Sequence, residues 1–134
     1  SIGGTLRTMK SKTRELMLVE IEQVALQGAA TLGCTVSMEI RQGYPPTVNH
    51  KSEAAFARDL IKSFLGDEAV NTTLTPAMAA EDFSFMMQEK PGAYIWLGAG
   101  MESEFLHSPF FDFNDELLPI GASLWVNLAH AKLS

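Results

Sequence analysis

Gly33-Cys34-Thr35-Val36-Ser37-Met38-Glu39-Ile40-Arg41 is the stretch on which the fold turns. Val36, Met38 and Ile40 alternate with Ser37, Glu39 and Arg41, which gives a strand one apolar face and one wet face. Gly33 stands just ahead of it, where a helix would stop. Upstream, Met17, Leu18, Ile21, Val24, Ala25 and Leu32 recur at three- and four-residue spacing. This predicts a helix over about 12 to 32, capped by Ser11, with one buried stripe. Ile2 and Leu6 on one face, with Arg7 on the other, predict a strand over 2 to 9. Strand, helix, strand is a β-α-β unit, whose right-handed crossover makes the strands parallel or sets them around a partner strand. The expected fold class is α/β.

Gly43-Tyr44-Pro45-Pro46-Thr47 interrupts that pattern, because prolines lack the ladder donor and restrict the residue before them. A domain boundary is expected there. Ser52 is expected to cap a second helix that ends at Gly66, with Ala55, Phe56, Leu60, Ile61, Phe64 and Leu65 facing inward. A short edge strand is predicted over 70 to 75. A short helix follows over 81 to 87, with Glu81 and Asp82 in its first turn. Ala93-Tyr94-Ile95-Trp96-Leu97 is continuously apolar, as in a strand covered on both sides. A long loop runs from Gly98 to about Asp115. The last predicted helix covers 116 to 132, with Leu117, Leu118, Ile120, Leu124, Trp125 and Leu128 available for packing. No internal repeat or low-complexity tract is present.

The 134 residues suffice for one domain with a core, and 46% hydrophobic with 19% charged residues is a globular balance. A net charge of -6 without a basic patch argues against a nucleic-acid partner. No apolar run approaches the roughly 18 to 20 residues that span a bilayer, so no membrane partner is expected. One cysteine excludes an intrachain disulfide framework and fits a cytoplasmic location. Ser1 is not an initiator methionine and the strand at Ile2 is already under way, so the chain is expected to be the C-terminal part of a longer protein.

Among the residues able to carry chemistry, His107 leads. A transition metal needs three or four side-chain ligands. His50, His107, His130 and Cys34 form no His-Glu-x-x-His, Cys-x-x-Cys or His-x-His cluster. His107 is therefore either a hydrogen-bonding loop residue or one ligand of a site completed elsewhere. It follows the apolar strand 93 to 97, and open α/β sheets place their ligand crevices at that end. Glu81 and Asp82 read first as a helix start favoured by the dipole. Arg7 reads as a solvated strand arginine or as a fork for a substrate carboxylate. Gly3-Gly4 and Gly98-Ala99-Gly100 lack the Gly-x-Gly-x-x-Gly pattern, because Ser103 takes the third glycine position. Cys34 reads as a small buried apolar residue, His50 as a surface residue, His130 as a cation in a last helical turn, and Met86 and Met87 as core filler.

Six motifs then fall in order. They are Gly3-Gly4-Thr5-Leu6-Arg7-Thr8, Gly43-Tyr44-Pro45-Pro46-Thr47-Val48-Asn49, Ala80-Glu81-Asp82-Phe83, Pro91-Gly92-Ala93-Tyr94, Leu106-His107-Ser108-Pro109 and Phe113-Asn114-Asp115-Glu116-Leu117-Leu118-Pro119-Ile120-Gly121-Ala122. The series resembles the C-terminal part of metal-dependent amidohydrolases of the hippurate hydrolase and indole-acetyl-amino-acid hydrolase type, within the aminoacylase and carboxypeptidase clan. It spans essentially the whole chain.

The resemblance implies a two-domain α/β metallohydrolase. Residues 1–44 would be the second half of an open-faced α/β lid used for homodimerisation, and 45–134 the C-terminal part of the catalytic domain. It implies two divalent ions, zinc, manganese or nickel, that activate a water against an amide carbon. His107 would be a metal ligand. The other ligands and the general base would lie upstream, so no catalytic residue is assigned in this chain. Arg7 and Glu81 would bind or orient an N-acyl amino acid or amide substrate, and Glu81 would also support the metal shell. Ala79 stands where relatives frequently carry glycine. The alternatives are a non-catalytic dimerisation module and a relative that binds amides without cleaving them.

Overall fold

A computed structural model describes residues 1–134. It contains four α-helices, α1 (Ser11–Thr31), α2 (Lys51–Leu65), α3 (Phe83–Glu89) and α4 (Leu117–Leu133), and a single 3₁₀ turn at Asp67–Ala69. Each α-helix lies within about two residues of its sequence expectation. The chain divides into two compact units, each built from two separate stretches. One comprises Ser1–Val48 and Thr75–Pro91, the other Asn49–Leu74 and Gly92–Ser134.

In the first unit, α1 ends as its glycine dictates. Gly33 takes φ 68, the left-handed region that costs a Cβ-bearing residue about 1 kcal/mol or more. Two backbone bonds close the end: Cys34 N–H donates to Ala29 O at 2.8 Å and Gly33 N–H to Ala30 O at 3.1 Å. Together they form a Schellman motif. Gly33→Ala is expected to lower the helicity of a peptide spanning residues 8 to 36, read by circular dichroism as a loss of about 1 kcal/mol at the C-terminus.

The N-terminus of α1 differs from expectation. Lys10 is the cap residue and no side chain closes the turn, while Ser11 is already helical. The stripe is not buried either, since Met17, Ile21, Val24 and Leu32 are exposed and only Leu18, Ala25 and Ala29 are half-covered among the apolar positions. The physical reason is plain: α1 packs on no other helix. Cys34, expected inside, is exposed.

α3 holds two of the three buried residues, Ser84 at 1% exposure and Met87 at 6%. Tyr44 meets the Phe85 ring edge-on at 5.6 Å and 68°.

In the second unit, α2 packs against α4. Ala57 is buried, and Phe56, Leu60, Ile61 and Phe64 are half-buried on the same side, whereas Leu65, expected inward, is exposed. On α4, Leu117, Ile120, Leu124 and Leu128 supply the matching stripe at three- and four-residue spacing, but Leu118 and Trp125 face solvent. Lys132 Nζ sits 4.5 Å over the Phe56 ring. α2 starts after His50, so Ser52 is not its cap; its hydroxyl donates instead to Glu53 Oε2 at 2.6 Å, which holds the Glu53 carboxyl below its ordinary pKa. Gly66 ends α2 as expected, and Lys62 reaches Asp67 at 3.1 Å on the surface. Exposed pairs of this kind contribute little to stability.

The stretches 2 to 9, 36 to 41, 70 to 75 and 93 to 97 carry no strand pairing. Val70 is extended, φ -114 and ψ 110, and Thr73 turns back on Asn71 Oδ1 at 2.9 Å rather than joining a ladder. A strand exists only with a partner to exchange N–H and C=O bonds. The expected sheet is not formed within residues 1–134.

Candidate functional site

His107 lies at the tip of the loop between the 93 to 97 stretch and α4, in the second unit. Ser108 N–H donates to Phe105 O at 3.0 Å, closing a four-residue turn with Leu106 and His107 in its middle. His107 has φ 70 and is the one non-glycine residue of the chain at positive φ. Positive φ at the third position alone marks a type II turn, where glycine is the usual occupant. A histidine there carries roughly 1 kcal/mol of strain or more. Ser108 then opens the next turn, its Oγ accepting from Phe110 N–H at 3.2 Å and its carbonyl from Phe111 N–H at 3.1 Å. The His107 side chain is exposed, and neither ring nitrogen has a hydrogen-bond partner in the chain.

An exposed imidazole with both nitrogens open fits the part of a single metal ligand. It cannot hold an ion alone, and no three of the chain's His, Cys, Asp and Glu side chains are grouped to do so.

Glu81 and Arg7 belong to the first unit. Glu81 is half-buried at the entrance to α3, just before the helix rather than in its first turn. Its Oε1 accepts from Phe83 N–H at 3.4 Å, and its carbonyl accepts from the Ser84 hydroxyl at 2.6 Å. Arg7 is exposed and forms no ion pair, so its guanidinium fork is open to solvent.

Two asparagines and a histidine shape the surroundings of the loop in ways the sequence reading missed. Asn49 grips the backbone of Tyr94 twice, accepting its N–H at 2.8 Å and donating Nδ2–H to its carbonyl at 2.9 Å. His50, expected on the surface, is half-buried beside it: its N–H donates to Gly92 O at 3.1 Å and its Nδ1 accepts Gly92 N–H at 3.1 Å. The same Nδ1 also lies 3.3 Å from Gly92 O. Asn114 accepts Glu116 N–H on Oδ1 at 3.1 Å and donates Nδ2–H to Ala99 O at 3.3 Å. The available signal was an asparagine just ahead of a helix, a residue type that bonds nearby backbone. For Asn49 and His50 the partner is more than forty positions away, and no local pattern reveals it.

No helix is long and apolar enough to cross a membrane. No solved structure matches this chain. Among curated proteins, IAA-amino acid hydrolase ILR1-like 5 of Arabidopsis thaliana is 37% identical, over 96% of this chain and 31% of its own length. N-acetyldiaminopimelate deacetylase of Pediococcus pentosaceus is 30% identical over 99% of this chain and 34% of its own. The corresponding deacetylase of Streptococcus thermophilus is 34% identical over 91% and 32%. The chain thus spans about a third of the length of these relatives. A model of peptidase family M20/M25/M40 matches residues 4–131, and the chain belongs to that family.

Proposed function

We propose that this chain is the C-terminal part of a metal-dependent amidohydrolase that cleaves N-acyl amino acids or related amides to a carboxylate and an amine. The observation that carries the proposal is His107, the only side-chain-bearing residue held at positive φ, with its ring open, in a chain of this family. Strain retained at an exposed turn is a mark of function. His107 would give one imidazole to a site of two divalent ions, zinc, manganese or nickel. When bound, such ions polarise an amide carbonyl and lower the pKa of a water.

The remaining ligands and the general base would come from upstream polypeptide. Arg7 would pair its fork with the substrate carboxylate. Glu81, fixed by the start of α3, would orient substrate or support the ligands. Residues 1–44 would form the second half of an α/β lid, and 45–134 the end of an α/β catalytic domain. Exposed Leu16, Val19 and Val24 on α1 support a role for the lid half in homodimerisation. A cytoplasmic location agrees with the single cysteine, and a small-molecule rather than a nucleic-acid partner with the acidic charge.

The test is hydrolysis by the metal-loaded full-length protein of hippurate, IAA-amino acid conjugates and N-acetyldiaminopimelate. Turnover of at least one, abolished by a chelator and restored by manganese, zinc or nickel, is expected. Failure to cleave every N-acyl amino acid in the panel with each metal would overturn the reading.

A further inference from the structure

Asn114 joins the two ends of the loop that carries His107. Its Nδ2–H reaches Ala99 O, 15 positions earlier in the chain, at 3.3 Å. Its Oδ1 simultaneously accepts Glu116 N–H, and its own carbonyl accepts Leu117 N–H at 3.0 Å, so the residue is fixed to the start of α4. The side chain is half-buried, and both loop ends, Ala99 to Ser103 and Asp112 to Asn114, line one open depression of about 330 Å³. Five residues before Ala99, the reciprocal Asn49 bonds hold Tyr94. The loop therefore leaves from a clamped stretch and returns to a clamped helix.

We infer that Asn114 is a positioning residue for His107: its amide fixes the base of the loop so that the strained turn presents the imidazole in one direction. A ligand held by a mobile loop must be ordered each time a metal binds, which weakens affinity. The inference rests on the reading of His107 as a ligand.

Asn114→Asp and Asn114→Ser separate the two bonds: either side chain still accepts from Glu116 N–H, while the carboxylate has no hydrogen to give Ala99 O and the serine hydroxyl, one bond shorter than the amide, does not reach it. In the full-length protein both variants are expected to lose about tenfold in affinity for manganese or zinc, as supporting groups around a ligand typically do. The melting temperature of the metal-free protein should stay within a degree or two of the parent. A metal-free NMR spectrum should show the strong intraresidue amide-to-Hα contact of His107, diagnostic of positive φ, weakened in both variants. Asn114→Gln, which retains both groups, should recover part of the affinity. Unchanged affinity in Asn114→Ser, or a loss matched by a fall in melting temperature, would overturn the inference. If His107→Ala itself keeps the metal, the ligand reading fails instead, and the two failures are distinct.

Discussion

His107→Ala in the full-length protein is expected to lower metal affinity more than a hundredfold and to reduce amide hydrolysis to background. Removing a direct ligand should cost more than the roughly 10- to 100-fold of a supporting group. The substitution leaves the turn backbone in place, since Ser108 N–H still finds Phe105 O. His107→Gly sharpens the test. Glycine takes φ 70 without a Cβ penalty, so the variant should be more stable by about 1 kcal/mol while losing the metal just as completely. Opposite signs for stability and binding mark a residue retained for chemistry. If instead His107→Gly loses stability and keeps metal, the side chain is structural.

The second large effect concerns residues 1–134 in isolation. Their only buried apolar side chains are Ala57 and Met87, while Trp96, Phe105, Phe110 and Trp125 stand in solvent. Burying one large side chain contributes about 1.5–3 kcal/mol, and ordering one residue costs about 1–2 kcal/mol, so so small a core leaves the ordering cost uncovered. The isolated chain is expected to show helical far-ultraviolet dichroism without near-ultraviolet signal, to bind a hydrophobic dye and to self-associate. Both tryptophans should be fully open to a soluble quencher. A sharp, cooperative melt of a monomer would contradict this.

What the sequence revealed follows from the range of each interaction. Helices close their bonds within four residues, so α1, α2, α3 and α4 were legible from apolar spacing and from Gly33 and Gly66. Caps were less so: Ser11 and Ser52 are typical cap residues, yet Lys10 and His50 occupy the positions. In the second case Gly92, far along the chain, had already fixed His50. The alternation of 36 to 41 records which face a strand would bury without saying what pairs with it, and no pairing is present. The candidate site divides similarly. His107 was legible through its motif, and its loop was expected between Leu97 and α4, but the positive φ is a property of the folded turn. Asn49 and Asn114 act through bonds spanning 45 and 15 positions, beyond any local pattern.

Everything proposed for the chemistry depends on one bond, from the His107 ring to a metal ion. Anomalous scattering from a crystal of the full-length protein grown with zinc or manganese would show it directly. The account predicts a metal peak about 2.0–2.1 Å from a His107 ring nitrogen for zinc, shared with ligands from outside residues 1–134. A metal centre complete without His107, its ring turned to solvent, would contradict it.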